Sequence, residues 1–169
     1  MTRARSAKGV ASALLLLLIS TLAHVGCRTR EKPLVTHQMT EFARSYTTAW
    51  CSREPELVAA HFAENGSLTI NGGVPSVGRG AITAAAADFM TALPDMVVVM
   101  DEVSQNGDRA VYRWTLTGTN TGPGGTGNAI HISGYEEWTL SSEGLIAESK
   151  GHFDAAEYER QLNGETGAG

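Results

Sequence analysis

The stretch MVVVMDEVSQNGDRAVYRWTLTGT, residues 96–119, decides the fold class. Its first part, Met96–Gln105, is rich in residues that favour β-strands. The dipeptide Asn106-Gly107 that follows is typical of the tight primed turns of hairpins. Ala110–Thr119 then has the composition of a partner strand. The pattern predicts a β-hairpin, and the rest of the sheet is built onto it.

Two further strands are predicted after this hairpin. A glycine-rich loop, Gly118–Asn128, leads to a strand over Ala129–Leu140, and a turn joins it to a last strand, Leu145–Phe153. Asp154 is placed to cap a terminal helix that ends near Leu162. The C-terminal half is therefore expected to be a mostly antiparallel sheet closed off by one helix.

The residues before the hairpin follow a helical period instead. Apolar residues recur at helical spacing over about His37–Trp50, in a short helix that begins at Pro55, and over about Gly80–Leu93, where Pro94 stops the pattern. A brief strand, Ser67–Asn71, separates the second helix from the third. Helices gathered early and strands gathered late indicate an α+β fold, with one sheet face covered and the other in contact with water.

The N-terminal segment carries an export pattern. A basic start is followed by an apolar run over Val10–Leu22. About a dozen apolar residues suit a secretory signal peptide, whereas a membrane-spanning helix needs roughly 20. We therefore predict a signal peptide over residues 1–26.

Residues 23–27, AHVGC, resemble a bacterial lipobox, in which a small residue precedes the cysteine that becomes lipidated. His24 departs from that motif, which has an aliphatic residue at this place. The resemblance implies an exported lipoprotein anchored to the cell membrane through Cys27, with residues 27–36 as a tether. Ordinary secretion after cleavage nearby and an uncleaved anchor stay open as alternatives.

Length and charge exclude several classes of protein. The 169 residues suit one domain, which we place at residues 37–162, followed by a disordered tail over 163–169. The net charge of −5 argues against a nucleic-acid partner, which requires a basic surface. Residues 122–127 contain G-x-G-x-x-G, but they join two strands and open no helix, so they do not predict a dinucleotide site. The cysteines and histidines have no metal-site spacing, and we expect neither a metal nor a cofactor.

Alternation decides which way Glu136 points. Along Ala129–Leu140 the apolar residues share one face with Glu136, and Glu137 lies on the other face. Because the apolar face must cover the core, Glu136 points inward, where burial raises the pKa of a carboxyl group. A carboxyl group tuned in this way suits acid–base chemistry near neutral pH. The alternative is a purely structural carboxyl, paired with a buried arginine or hydrogen-bonded to a tyrosine.

Other inward residues are candidates for the same site. Tyr46 lies on the apolar stripe of the first helix, either as a catalytic hydroxyl or as a core residue with a satisfied hydroxyl. Asn71 and Asn120 stand at strand ends, where the mouth of a substrate pocket is expected, and each also suits an ordinary loop cap. The expected wall of the pocket consists of residues that suit a plain core equally well: Trp50, Phe89, Met90, Trp114, Ser149 and Phe153.

The order of elements resembles the SnoaL-like polyketide cyclases of the nuclear-transport-factor-two-like superfamily, which also contains the ketosteroid isomerases. The motifs that carry the resemblance are Phe42–Tyr46, Val58–Ala63, Gly78–Ile82, Trp114–Asn120, Trp138 and Gly144–Glu148. The resemblance implies a curved sheet wrapped into a cone around three helices. It also implies a homodimer through the outer sheet face.

The same resemblance implies roles for particular residues, and at two positions this sequence differs from the pattern of the family. Glu136 lies two residues before Trp138, as catalytic carboxyl groups of the superfamily precede an aromatic residue, and Tyr46 resembles the tyrosine that donates to the oxyanion in ketosteroid isomerases. Asn71 stands near the place of the isomerases' general base, and Asn120 replaces the usual histidine of the cyclases. Neither asparagine can take a proton, so steroid isomerisation in its known form is not expected.

Two hypotheses of function follow. In the first, an apolar pocket binds a small apolar or aromatic molecule, and Glu136 performs metal-free acid–base chemistry such as enolisation, aldol-type cyclisation or dehydration. In the second, the domain is a non-catalytic accessory lipoprotein that binds a ligand or dimerises. A cavity below roughly 100 Å³ would favour the second, because ligand pockets typically measure about 300–1,000 Å³.

Overall fold

A computed structural model describes residues 33–164, with side chains from residue 37 onward. The predicted signal peptide, Cys27 and residues 165–169 of the predicted tail lie outside the described residues. The described part forms four helices and six strands, in the order α1 (Pro33–Cys51), α2 (Pro55–Ala60), β1 (Phe62–Ile70), β2 (Ser76–Val77), α3 (Arg79–Ala92), β3 (Val97–Asn106), β4 (Arg109–Thr119), β5 (Ala129–Leu140), β6 (Ile146–Phe153) and α4 (Ala155–Leu162).

The six strands form one curved, unclosed sheet in the order β2-β1-β6-β5-β4-β3. The predicted hairpin is confirmed: β3 and β4 pair antiparallel across the turn at Gly107, whose φ of 64° suits the primed turn. All other neighbours are antiparallel except β1 and β6, which run parallel. The α+β prediction is therefore confirmed, and the sheet is mixed.

Irregularities in strand pairing accompany the curvature. The register shifts between Met100 and Glu102 in the β3–β4 pair and between Thr139 and Leu140 in the β5–β6 pair. Such bulges bend a strand and increase its twist, which curves the sheet around the helices on its concave side. A sheet bent in this way can enclose a cavity against α1 and α3.

The N-terminal half differs from the sequence prediction in three places. Phe62, predicted on the second helix, is the first residue of β1, because α2 ends at Ala60 and the chain then pairs with β6 opposite Ile146. The short strand β2 was not predicted, since two residues carry no periodicity. Helix α1 begins at Pro33 rather than near His37, and proline is well suited to a first helical turn.

The predicted alternation along β5 is confirmed. Ile130, Ile132 and Trp138 are buried, whereas His131 and Glu137 are exposed. The inward side chains of β5 join those of α1, α3 and β4 in one hydrophobic core. The face on which a β5 side chain lies therefore decides whether it reaches the core or the solvent.

Helix α4 covers the first residues of β5 on the side where β6 does not reach. Strand β6 ends at Phe153, opposite Gly134, so the first residues of β5 lack a neighbour on that side. Gln161 takes its place: its amide accepts from the His131 N–H at 2.6 Å and donates to the His131 carbonyl at 2.9 Å. The predicted cap of α4 is confirmed, as Asp154 accepts a hydrogen bond from the Glu157 N–H. In the described part of the chain, no helix has the length and hydropathy needed to cross a bilayer.

Candidate functional site

Glu136 is the buried carboxyl group of the concave face. It lies in the middle of β5, opposite Tyr112 on β4 and Gly151 on β6, and only 6% of its surface is exposed. The inward orientation inferred from alternation is thus observed. Among the described residues, its side-chain partners are hydrogen-bond donors without charge, and no arginine forms an ion pair with it.

The two carboxyl oxygens of Glu136 have different surroundings. Oε2 accepts three hydrogen bonds, from Ser149 Oγ at 2.6 Å, Trp138 Nε1 at 2.8 Å and the Tyr46 hydroxyl at 3.1 Å. Oε1 has one long contact, 3.3 Å from the same Tyr46 hydroxyl. A carboxyl oxygen offers two lone pairs. Both lone pairs of Oε2 are used by hydrogen bonds, whereas Oε1 can still take a proton or accept a bond from a further donor.

Burial raises the pKa of Glu136 above its ordinary value, although the bonds from Ser149, Trp138 and Tyr46 act in the opposite direction. Desolvation is the larger effect because the carboxylate exchanges bulk water for only three neutral donors. The raised pKa favours the neutral acid, and Oε1 is the oxygen with room for its proton. Such a group can act as a hydrogen-bond donor or as an acid–base residue.

Tyr46 contacts Glu136 without lining the cavity beside it. Its ring is fully buried and meets those of Tyr112 and Trp138 edge-to-face, at 5.6 and 5.2 Å between centroids. Burial, followed by the nearby Glu136 carboxyl, raises the pKa of Tyr46 well above 10. The hydroxyl therefore stays protonated and holds the carboxyl in place.

A cavity of about 60 Å³ lies against Glu136. Its wall is apolar apart from the carboxyl, Tyr112 and backbone atoms, and helices α1 and α3 close it with one side chain each. The residues that line it are Trp50, Leu68, Ile70, Phe89, Val98, Tyr112, Trp114, Leu116, Ile132, Glu136, Gly151 and Phe153. The volume is below the roughly 100 Å³ under which a non-catalytic role is favoured, and it accommodates a few waters or one small ligand group.

The predicted wall residues divide into two groups. Trp50, Phe89, Trp114 and Phe153 line the cavity. Met90 does not; it is 8% exposed and packs in the core. Ser149 is also absent from the wall, since it is fully buried behind the cavity and its hydroxyl is used on Glu136.

Neither of the two asparagines expected near a pocket mouth lines the cavity. Asn71 adopts a positive φ of 47° at the exposed turn after β1, where its Oδ1 accepts a hydrogen bond from the Phe153 N–H at 2.9 Å. Asn120 is buried and holds the glycine-rich loop: its Nδ2 donates to the Ala92 carbonyl at 3.1 Å, and its Oδ1 accepts from the Thr126 N–H at 2.8 Å. Both are caps of backbone groups, as their residue type permits.

Part of the wall was not predicted. Alternation within β4 could have indicated Tyr112 and Leu116, because they share the inward face with Trp114. Leu68 of β1 and Val98 of β3 could not have been assigned in this way, because nothing in the sequence brings these two strands to the same cavity.

Among the residues that the structure describes, no group of three or more His, Cys, Asp or Glu side chains could hold a metal ion. His61, the one histidine of the second helical region, has both ring nitrogens engaged: Nδ1 lies 2.8 Å from the Leu57 carbonyl and Nε2 lies 3.0 Å from Ser45 Oγ. It serves as a helix-end contact rather than as a ligand.

The family model of the SnoaL-like domain matches residues 43–149, more than half of the chain. The chain belongs to the SnoaL-like domain family. The match includes Glu136, the neighbouring strand β4 and the first half of β6. No curated protein matches this SnoaL-like domain in sequence.

Solved structures share the fold at low sequence identity. A protein of Jannaschia sp. CCS1, assigned as a SnoaL-like polyketide cyclase, has a TM-score of 0.69 and 17% identity, over 79% of this chain and 96% of that one. A protein of Catenulispora acidiphila with a ketosteroid-isomerase-like fold, solved in complex with trimethylamine, has a TM-score of 0.65 and 15% identity, over 73% and 92%. A protein of unknown function from Burkholderia pseudomallei has a TM-score of 0.64 and 22% identity, over 73% and 95%. These similarities establish the fold and leave the chemistry to the site itself.

Proposed function

We propose that this SnoaL-like domain binds a small, uncharged, largely apolar or aromatic molecule, and that Glu136 is the polar group that holds it. The observation that carries the proposal is a buried carboxyl group in the wall of an otherwise apolar cavity. One of its oxygens, Oε1, has only one long hydrogen bond and can make another. An apolar cavity with few fixed polar groups is the usual form of a small-molecule site. Glu136 as a neutral acid donates from Oε1 to a ligand oxygen or nitrogen.

The volume limits the ligand. About 60 Å³ accepts a small molecule, or one end of a larger molecule that extends toward the solvent. The structural relative from Catenulispora acidiphila holds trimethylamine, a ligand of only four non-hydrogen atoms. By the volume criterion of the sequence analysis, binding without catalysis is therefore the first proposal.

Acid–base catalysis is the second candidate, and the raised pKa of Glu136 favours it. In this proposal Glu136 is ionised when the substrate binds. Its Oε1 takes a proton from the carbon next to a carbonyl, which makes Glu136 the neutral acid, and then gives that proton to an oxygen of the product or of the leaving group, as enolisation, aldol-type cyclisation and dehydration require. Tyr46 would then be a positioning residue rather than a catalytic one, because its hydroxyl contacts the carboxyl and not the cavity.

Binding is tested with Glu136→Met and Glu137→Met as a matched pair. The two residues are adjacent, but Glu136 is buried and Glu137 is exposed on the other sheet face. Small aromatic probes such as phenol and acetophenone are titrated into each ¹⁵N-labelled protein, and affinities are taken from amide shifts. We expect reduced affinity in Glu136→Met, whose side chain has a similar length and no donor, and wild-type affinity in Glu137→Met. Equal affinity in all three proteins, or no binding to the wild type, contradicts the proposal.

Catalysis is tested by titrating the carboxyl carbon of Glu136 by NMR in ¹³C-labelled protein. A midpoint close to 4.5, the ordinary pKa of glutamate, removes the basis of the catalytic candidate and leaves the binding proposal in place.

We also propose that the protein is exported and lipid-anchored at Cys27, on the evidence of the apolar run and the lipobox-like residues 23–27. The chain offers its own control, because Cys51 is its one other cysteine. In a bacterial host fed an alkyne-tagged fatty acid, we expect labelling of the wild type and of Cys51→Ser, and none of Cys27→Ser. Label that persists in Cys27→Ser contradicts the anchor.

A homodimer through the outer sheet face remains a proposal, based on the resemblance and on the exposed β5 residues His131 and Ser133. Light scattering on the purified domain tests it, and a monomeric mass at 100 µM would count against it. The 100 µM value is roughly the upper range of a weak association.

A further inference from the structure

We propose that Ser45 and His61 form a nucleophile–base pair that accepts acyl groups from small esters. Ser45 lies on α1, and His61 directly follows α2. Neither residue lines the cavity beside Glu136. The pair is therefore a second and separate site, and its failure in a test would leave the ligand-binding proposal unaffected.

The hydrogen bonds of the imidazole decide which of its nitrogens carries the proton. Nδ1 of His61 lies 2.8 Å from the Leu57 carbonyl oxygen. A carbonyl oxygen can only accept a hydrogen bond, so Nδ1 carries the hydrogen in neutral His61. Nε2 then holds the lone pair, and the Ser45 hydroxyl, whose Oγ is 3.0 Å away, donates to it. In this arrangement the imidazole can take the proton of the hydroxyl group while a third group holds the ring in place.

Neighbouring hydroxyl groups of α1 are bonded differently. Thr47 and Thr48 each donate to the backbone carbonyl four residues earlier, at 2.8 and 3.0 Å. Such a bond is common for a hydroxyl group inside a helix. Ser45 differs from both threonines, because its hydrogen points to a base that can accept the proton.

His61 is suited to act as a base near neutral pH. Burial lowers its pKa below the ordinary 6.5, although the bond to the Leu57 carbonyl acts in the opposite direction. Among the described residues, Tyr46 is the titratable side chain whose ring meets the imidazole, at 5.5 Å between centroids. Tyr46 stays neutral because burial raises its pKa well above 10. The imidazole is therefore uncharged at pH 7 and keeps its lone pair on Nε2.

The serine is open to molecules from the solvent, and apolar groups lie beside the pair. Ser45 is exposed and His61 is half-buried. The Phe42 ring meets the imidazole edge-to-face at 5.3 Å between centroids, and Leu57, one helical turn before His61, has 43% of its surface exposed. The substrate class that fits these surroundings is a small uncharged ester with an apolar acyl or aryl group.

The reaction is an acyl transfer. The Ser45 oxygen attacks the carbonyl carbon of the ester and forms a new C–O bond, while its proton passes to Nε2 of His61. The bond between that carbon and the oxygen of the leaving alcohol or phenol then breaks, and His61 gives the proton to the leaving oxygen. The products are O-acyl-Ser45 and the free alcohol or phenol, and His61 returns to its neutral form.

Acetylation of the full chain by 4-nitrophenyl acetate tests the pair, with Ser52 as the internal control. Ser52 is also partly exposed, but its hydroxyl donates to the Ala49 carbonyl at 2.6 Å, and a carbonyl is no base. Both serines fall in one proteolytic peptide, in which tandem mass spectrometry assigns each acetyl group to its residue and counts acetylated cysteine apart.

We expect acetylation of Ser45 to be about 100-fold faster than that of Ser52, as assistance by a general base permits. In His61→Gln, whose side chain cannot take the proton, the Ser45 rate should fall to the Ser52 rate. Equal rates at the two serines of the wild type, or an unchanged Ser45 rate in His61→Gln, overturn the inference.

A second readout needs no variant. Because His61 must be neutral to act as the base, the Ser45 rate of the wild type should rise with pH to a plateau, with its midpoint below 6.5. A hydroxyl group without a base reacts as its alkoxide, so the Ser52 rate should continue to rise about tenfold per pH unit up to about pH 9. A Ser45 rate that parallels the Ser52 rate over this range contradicts the inference.

Discussion

Replacing Glu136 by glutamine should change how the stability of the domain depends on pH. Glutamine has the shape of the neutral acid. Its oxygen can accept the bonds that Oε2 receives from Ser149, Trp138 and Tyr46, and its amide nitrogen occupies the place of Oε1 near the Tyr46 hydroxyl. The variant therefore keeps the hydrogen bonds and loses only the ability to ionise.

The direction in which the free energy of unfolding changes with pH follows from the direction of the pKa shift of Glu136. Burial raises the pKa of Glu136 in the folded protein above the ordinary 4.5. Between 4.5 and the raised value, the folded wild type holds a proton that the unfolded chain has lost, so its free energy of unfolding falls as pH rises. The stabilising contribution is fully present below pH 4.5 and is lost as pH passes the folded pKa.

Between the two pKa values, the free energy of unfolding of the wild type falls by about 1.4 kcal/mol for each pH unit. Glutamine has no such dependence, so the variant gains stability relative to the wild type as pH rises, until a plateau is reached. The pKa of His61 is lowered by burial and contributes a pH dependence of its own, but it is common to both proteins and cancels in the difference.

The assay is urea unfolding of both proteins at half-unit steps from pH 4 to pH 8, with Glu137→Gln as the control for removing an exposed carboxylate. The height of the plateau, divided by about 1.4 kcal/mol, gives the shift of the Glu136 pKa in pH units. A difference that is flat over the whole range, or that decreases with pH, refutes the argument, since the three donors would then outweigh desolvation.

Three further substitutions test the packing of the site. Gly134→Ala should lower the free energy of unfolding by about 1–3 kcal/mol in urea titrations, because its Cβ would lie 2.4 Å from the Trp114 ring; unchanged stability contradicts this contact. Gly151→Ala should leave the free energy of unfolding within about 0.5 kcal/mol of the wild type, because the nearest atom to the added Cβ would be at 3.6 Å. It should weaken acetophenone binding, because the methyl group fills part of the 60 Å³ cavity. Undiminished affinity in the NMR titration would mean that the ligand binds elsewhere. Gln161→Ala removes two hydrogen bonds to the backbone of His131, so hydrogen exchange at that amide should accelerate, and unchanged exchange would mean that α4 does not protect the edge of β5.

Local patterns were enough to predict the β3–β4 hairpin and the inward orientation of Glu136. The hairpin at Gly107 depends on two residues and their φ preferences, and the inward position of Glu136 follows from a period of two along one strand. The same reasoning failed at Phe62, because an apolar residue next to a short helix fits that helix as well as it fits a strand. It left two roles open for Asn71 and Asn120, because a pattern tells that an asparagine lies at a turn but not which backbone group it binds.

The fold class and the side of the sheet on which Glu136 lies can be read from the amino-acid sequence, since both follow from residues that are close together in the chain. The surroundings of that carboxyl group depend on the three-dimensional arrangement of the chain. Its donors come from residues 90, 13 and 2 positions away, and the small cavity beside it is bounded by five strands and two helices. The pKa of a carboxyl group and the volume next to it depend on atoms that are near in space, and distances between remote segments are not encoded in any local period of the sequence.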